Sequence, residues 1–110
     1  WEDLFMEISD MQSKVSDFVE ENQLEIEVEI RLLDLMSELG ELSKESLKSS
    51  DYGKTKFKNT DEWANELGDV LFSLICIANN TEINLEIALN KALNKYRKRF
   101  NEKGDVGSGE

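Results

Sequence analysis

Apolar residues recur at intervals of three and four along most of this chain, which is the spacing of one face of an α-helix. No proline and only six glycines occur among the 110 residues, so little in the sequence interrupts a helix. We therefore predict an all-α fold, a bundle of four helices in one domain (1–103) followed by a flexible glycine-rich tail (104–110). The predicted helices cover residues 2–20, 24–47, 61–79 and 84–102.

Two short acidic runs share one pattern and lie inside the second and third helices: Glu38-Leu39-Gly40-Glu41 and Glu66-Leu67-Gly68-Asp69. In each run two carboxylates stand three residues apart, and residues at that spacing share a face of a helix. If the two helices face each other, all four carboxylates surround one point. Packed carboxylates repel each other, so a bundle keeps four of them together chiefly where a cation neutralises them. A glycine inside a helix, such as Gly40, also suggests close approach by a neighbouring helix or a ligand.

The residue types that are missing narrow the choice of cation. The chain has no histidine and a single cysteine, Cys76, which lies in an apolar run and is expected to be buried and inert. Zinc and copper sites, histidine general bases and the Glu-x-x-His pattern of di-iron bundles are therefore disfavoured. Ligation by oxygen alone fits Mg²⁺ or Mn²⁺, which can bridge phosphate oxygens and activate a bound water.

The charge balance restricts the partners. A formal net charge of −11 argues against polymeric nucleic acid and against an anionic membrane, but a metal ion can bridge acidic residues to a small phosphorylated ligand. No apolar run approaches the roughly 18–20 residues that span a bilayer, and the first residues lack the basic start of a signal peptide. We expect a cytoplasmic protein. Within the basic stretch 48–60, Lys54 and Lys56 could meet incoming phosphates, although a solvated loop is the alternative.

At the acidic runs the sequence resembles the MazG-like nucleoside triphosphate pyrophosphohydrolases, an all-α family. The hallmark of that family is Glu-x-x-Glu on one helix and Glu-x-x-Asp on the next, which Glu38/Glu41 and Glu66/Asp69 match. The stretch 91–100 resembles the basic and aromatic run that closes the family's domain, and the whole resemblance covers about residues 26–100.

The resemblance implies a Mg²⁺-dependent hydrolase that cleaves a nucleoside triphosphate between its α- and β-phosphates and thereby clears non-standard or surplus nucleotides. The four matched acids would hold the metal, and Glu41 would also orient or deprotonate the attacking water. Lys95 and Arg99 match positions that face the phosphates. The bundle would be completed by dimerisation, or by the pairing of dimers into a tetramer. Phosphoribosyl-ATP pyrophosphohydrolases and dimeric dUTPases share the acidic pairs and remain alternatives within the enzyme class.

The base-binding aromatic residues of the family have no match directly after Glu41. Four aromatic residues are candidates for stacking on a nucleobase by location alone: Phe18, Tyr52, Phe57 and Trp63. The competing interpretation is a helical interaction module without catalytic activity, in which residues 4–18 form the partner-binding seam and the acidic residues provide solubility. Such a module should not respond to Mg²⁺, whereas the enzyme should be stabilised by it.

Overall fold

The computed structural model describes residues 6–103, and within that part of the chain it contains four α-helices and no strand. The all-α, four-helix prediction is confirmed. α2 and α3 pack against each other as an antiparallel pair, α1 packs on α3, and α4 packs mainly on α1. The glycine-rich tail and the first residues of the predicted seam lie outside the described residues. The helices are α1 (Ile8–Glu21), α2 (Val28–Ser49), α3 (Asp61–Asn80) and α4 (Leu85–Lys103).

Two helix starts follow from local capping and were predicted closely. The side-chain hydroxyl of Thr60 accepts a hydrogen bond from the backbone N–H of Trp63 at 3.1 Å, and this fixes the start of α3. In the same way Asn84 Oδ1 accepts from the backbone N–H of Ile87 at 3.1 Å before α4. Both capping residues are recognisable from the sequence because each precedes a run with helical periodicity.

The start of α2 was predicted four residues too early. Gln23 has a positive φ of 53°, which turns the chain out of a helical path after α1. Two side chains from outside this turn then donate hydrogen bonds to carbonyls that a longer helix would have used. Arg31 Nη2 donates to the carbonyl of Leu24 at 2.7 Å, and Asn80 Nδ2 donates to that of Ile26 at 3.1 Å. Because these donors come from α2 itself and from α3, the local sequence does not reveal the boundary.

A glutamine on α1 holds the turn between α3 and α4. Gln12 Nε2 donates to Asn79 Oδ1 at 3.0 Å and to the carbonyl of Ile83 at 2.8 Å. Gln12 Oε1 accepts from the backbone N–H of Leu85 at 2.9 Å, and Asn79 Nδ2 donates to the Gln12 carbonyl at 3.0 Å. One side chain therefore ties the beginning of α4 to α1 and to the end of α3.

The apolar core of the described chain is small and lies in α3, at Ile75, Cys76 and Ala78. Cys76 is buried as predicted, and burial raises the pKa of its thiol although the charge of Arg31 acts in the opposite direction. A thiol in this state is protonated at neutral pH and is a poor nucleophile.

The apolar face of α4 is exposed in the single chain. Leu89, Leu93, Tyr96 and Phe100 are exposed, because α4 packs mainly on α1 and not on the α2–α3 pair. Among the described helices none alone is long and apolar enough to cross a membrane; α3 and α4 meet that criterion only together, and they are bent by 103° to each other.

Candidate metal centre

Three of the four predicted acidic residues come together between α2 and α3. One carboxylate oxygen each from Glu38, Glu66 and Asp69 lies within 4.8 Å of the other two. Glu38 and Glu66 are half-buried and Asp69 is exposed, so the cluster sits at the edge of the helix pair and opens to solvent. We refer to these three residues as the acidic cluster.

The position of the acidic cluster follows from the way the two helices pack. Seven residues make almost two full turns of an α-helix, so residues seven apart lie on the same side. Glu38 follows the buried Arg31 by seven residues, and Asp69 precedes the buried Cys76 by the same number. Glu66 likewise precedes the buried Ser73 by seven. The surfaces that pack α2 on α3 therefore continue directly into the acidic residues.

The crowding of negative charge contributes to a raised pKa of Glu66. Partial burial is the largest cause that raises the pKa of this carboxyl, followed by the charges of Asp69, Glu38, Glu41 and Glu62, in that order. A bound cation would reverse the effect of the charges, because it stabilises the ionised form. The electrostatics of the site thus favour a positively charged ligand.

Glu41 stands apart from the acidic cluster. Residues three apart on a helix diverge by about 60°, and in α2 this turns Glu41 away from α3 so that it is exposed. Its carboxylate lies 4.0 Å from Lys44 Nζ, and its negative charge contributes to the raised pKa of Glu66. The structure therefore places Glu41 beside the acidic cluster and not within it.

The glycines of the two acidic runs are not explained by packing within the chain. A Cβ added at Gly40 or Gly68 would meet no side chain, and no backbone of another element, within 4 Å in the described residues. The predicted close approach to Gly40 is therefore not made by any of the four described helices. Gly40 falls on the same face of α2 as Leu33 and Met36, whose side chains are 65% and 68% exposed.

The basic residues predicted to contact phosphate lie on other elements. Lys54 and Lys56 are exposed in the loop between α2 and α3. Lys95 and Arg99 lie on α4, where Lys95 Nζ is 5.1 Å from the centre of the Tyr96 ring. The main packing of α4 is on α1, whereas the acidic cluster belongs to α2 and α3.

The donor set fits a hard divalent cation. Octahedral Mg²⁺ holds oxygen ligands at about 2.1 Å, which separates neighbouring ligands by about 3 Å and opposite ones by about 4.2 Å. Three oxygens within 4.8 Å of one another reach those separations by small side-chain movements. Because all donors are carboxylates and one side is open to solvent, positions remain for water and for phosphate oxygens.

Arg31 is a residue of the site's framework that the sequence prediction missed. It is only 8% exposed, and its guanidinium lies 5.9 Å from the centre of the Phe72 ring on α3. A signal for it exists in the sequence. Arg31 shares its helical spacing with Leu35, Glu38 and Leu42, so it belongs to the face of α2 that packs on α3.

Comparison with known proteins agrees with this fold. A family model of the MazG nucleotide pyrophosphohydrolase domain matches residues 26–103. YpjD of Bacillus subtilis (strain 168) is 38% identical over 72 residues, which are 63% of this chain and 63% of YpjD, so the match spans less than two thirds of that relative.

Two solved structures resemble the chain closely. The crystal structure of the Bacillus-conserved MazG protein, a nucleotide pyrophosphohydrolase, superimposes with a TM-score of 0.72 at 32% sequence identity and covers 84% of this chain and 90% of that one. The crystal structure of YpjD from Bacillus subtilis superimposes with a TM-score of 0.73 at 31% identity and covers 86% and 97% of the two chains.

Proposed function

This chain belongs to the MazG nucleotide pyrophosphohydrolase family, and from that premise we propose that it hydrolyses a ribo- or deoxyribonucleoside triphosphate between the α- and β-phosphates. Water adds across the anhydride, so the products are a nucleoside monophosphate and pyrophosphate. Removal of non-standard or surplus nucleotides in the cytoplasm is the role that this reaction would serve.

The observation that carries the proposal is the convergence of Glu38, Glu66 and Asp69 within 4.8 Å. Together with Glu41 these residues would hold Mg²⁺, or Mn²⁺, which when bound offsets phosphate charge and lowers the pKa of a coordinated water. Glu41 lies beside the acidic cluster and is exposed, so its carboxylate is the one best placed to accept a proton from an attacking water.

Basic residues would provide the remaining charge for a polyphosphate. Lys54 and Lys56 lie in the loop that leads into α3, the helix with two of the three clustered acids. Lys95 and Arg99 lie on α4, which packs mainly on α1. A second copy of the chain is therefore one way to bring the α4 cations to an acidic cluster.

The exposed apolar surface supports a homodimer or a tetramer. Leu33, Met36 and Gly40 form an uncovered strip along α2, and Glu41 lies directly next to this strip. A monomer seldom leaves such a strip in water. A second copy seated on it would border the acidic cluster and would account for a glycine that residues 6–103 leave without a neighbour.

The test is pyrophosphate release from a panel of ribo- and deoxyribonucleoside triphosphates, with Mg²⁺, with Mn²⁺ and with EDTA. We expect release that depends on the metal, loss of turnover in Glu41→Gln and retention of turnover in Glu29→Gln. Glu29 is an exposed glutamate in the first turn of the same helix, so the control removes the same charge elsewhere. Mg²⁺ at ten times its Kd should also stabilise the fold by about 1.4 kcal/mol.

Release of orthophosphate instead of pyrophosphate would move the cleaved bond and contradict the proposal. Full activity of Glu41→Gln would contradict the role given to that residue. A protein that neither turns over any nucleotide nor gains stability from either metal would favour the interaction module.

A further inference from the structure

An aromatic pair stands at the entrance to α3. The ring centres of Phe57 and Trp63 are 4.9 Å apart with an angle of 75° between the ring planes, which is an edge-to-face contact. Such a contact leaves at least one ring face uncovered by the partner ring. Phe57 is 47% exposed and Trp63 is half-buried, so the pair is open to solvent and is not part of the core.

The backbone on both sides of Phe57 is fixed. The N–H of Lys58 donates to the carbonyl of Ser49 at 2.8 Å and thereby ties the loop to the end of α2. Before Phe57 the N–H of Thr55 donates to the carbonyl of Ser50 at 3.0 Å, and further along Thr60 caps α3 through the N–H of Trp63. The backbone that carries the two rings is therefore ordered before any ligand arrives, which lowers the entropy lost on binding.

One member of the pair, Trp63, belongs to the same helix as Glu66 and Asp69 of the acidic cluster. Trp63 precedes Glu66 by three residues, so the two side chains are neighbours on the surface of α3 and are about 4.5 Å apart along its axis. Asp69 is about 9 Å from Trp63 along the same axis. In a nucleotide the sugar separates the phosphates from the base, and a base site one to two helical turns from a phosphate site matches that separation.

The surrounding charge suits a nucleotide and not a purely apolar partner. Residues 52–60 contain Lys54, Lys56 and Lys58 and no acidic residue, in a chain whose net charge is −11. We propose that the nucleobase of the substrate stacks on the Phe57–Trp63 pair while its phosphates reach the acidic cluster, an inference that rests on the proposed function. Stacking distinguishes weakly between bases, so this subsite would accept several of them.

Tryptophan fluorescence tests the stacking without turnover. The chain has two tryptophans, and the background variant Trp1→Phe leaves Trp63 as the single emitter. We expect an α,β-methylene deoxynucleoside triphosphate with Mg²⁺ to quench the emission of Trp63 saturably, whereas inorganic tripolyphosphate with Mg²⁺ does not. Equal quenching by both ligands would overturn the proposal, because the base would then play no part.

Phe57→Leu supplies the second test, since it keeps an apolar side chain and removes the ring. We expect it to weaken binding of the analogue, and to raise KM for every base, by roughly tenfold, the effect of losing one base–aromatic stack. Phe100→Leu is the matched control, because it makes the same substitution at a phenylalanine that is exposed on α4 and lies outside the pair. Binding that is equal in the two variants would overturn the proposal.

Two further results separate this inference from the proposed function. If no triphosphate is hydrolysed but quenching and its loss in Phe57→Leu persist, the reaction is wrong and the stacking site stands. If hydrolysis is normal and Phe57→Leu changes the elution volume in size-exclusion chromatography, the pair belongs to a contact between subunits and the stacking site is wrong.

Discussion

Replacement of Arg31 by methionine should destabilise the fold although Arg31 is far from the chemistry. Methionine keeps most of the length of the apolar stem and removes the guanidinium. The hydrogen bond to the Leu24 carbonyl is then lost, and so is the contact with the face of the Phe72 ring. Both contacts link the start of α2 to other parts of the chain.

The expected loss in the free energy of unfolding follows from the contacts that Arg31→Met removes. A hydrogen bond from a charged donor contributes about 1.5–3 kcal/mol, and the lower end applies because Leu24 is 41% exposed, so water can replace the lost donor. The cation–π contact with Phe72 contributes about 1 kcal/mol, since Arg31 is largely desolvated. Asp34 is 4.0 Å from Arg31 and its side chain is 49% exposed, so this ion pair contributes little. The sum is about 2–3 kcal/mol.

The assay is unfolding followed by circular dichroism, with urea and with heat, at one fixed protein concentration. For a chain of this size the expected loss lowers the Tm by roughly 10 °C. Asp34→Asn is the control and should change stability by less than about 0.5 kcal/mol. An Arg31→Met variant as stable as the wild type would refute the role given to these contacts, and so would an Asp34→Asn variant that is equally destabilised.

Three further predictions concern the acidic residues and their surroundings. In the metal-free protein the pKa of Glu66 should lie above its ordinary value of 4.5. Asp69→Asn should lower this pKa only part of the way back to the ordinary value, because burial is the larger cause. Carboxyl ¹³C NMR titration measures both. The stabilisation linked to Glu66 is therefore fully present below pH 4.5 and is lost as the pH rises through the raised pKa, and Glu66→Gln should remove that slope in urea unfolding curves recorded across this range. Gly40→Ala should stabilise an isolated chain by about 0.5–1 kcal/mol. It should also weaken self-association in analytical ultracentrifugation. Unchanged association would exclude a second copy on the strip of Leu33, Met36 and Gly40. Ser49→Ala should stabilise the fold by about 1 kcal/mol in thermal unfolding, because the buried Ser49 hydroxyl has no hydrogen-bond partner among the described residues, and a loss of stability would indicate a partner.

The sequence predicted helix boundaries well where a local signal exists. The start of α3 was correct because Thr60 both precedes the periodic run and accepts the capping hydrogen bond. The start of α2 was wrong because side chains from outside the preceding turn, Arg31 of α2 and Asn80 of α3, donate to its carbonyls. The bonds of Gln12 to the α3–α4 turn span about seventy residues, and no local pattern encodes them.

The site was predicted from helical spacing. Spacing alone does not give the rotation of each helix about its own axis. The three-residue spacing correctly placed Glu66 and Asp69 together, because in α3 they lie on either side of the direction that faces α2. In α2 the same spacing points Glu38 at α3 and turns Glu41 outward. Packing decides which member of a pair faces the neighbouring helix. In α2 the buried Arg31, seven residues before Glu38, marks the face that packs on α3. The exposed apolar face of α4 shows a related limit of the sequence prediction. Periodicity identifies an apolar face that has to be buried, but it does not show whether the same chain or another chain buries it.

The stability of the fold and the affinity of the site for metal depend on the same packing between α2 and α3. Arg31, Ser73 and Cys76 are buried between α2 and α3, and each lies seven residues from a member of the acidic cluster on the same side of its helix. Packing at these positions therefore sets the separation of carboxylates that repel one another. The repulsion is offset by contacts outside the cluster while no cation is present, and a cation removes it. A change that loosens the packing, such as Arg31→Met, should consequently weaken metal binding as well as the fold, because the helices then no longer hold the carboxylates in position for the ion.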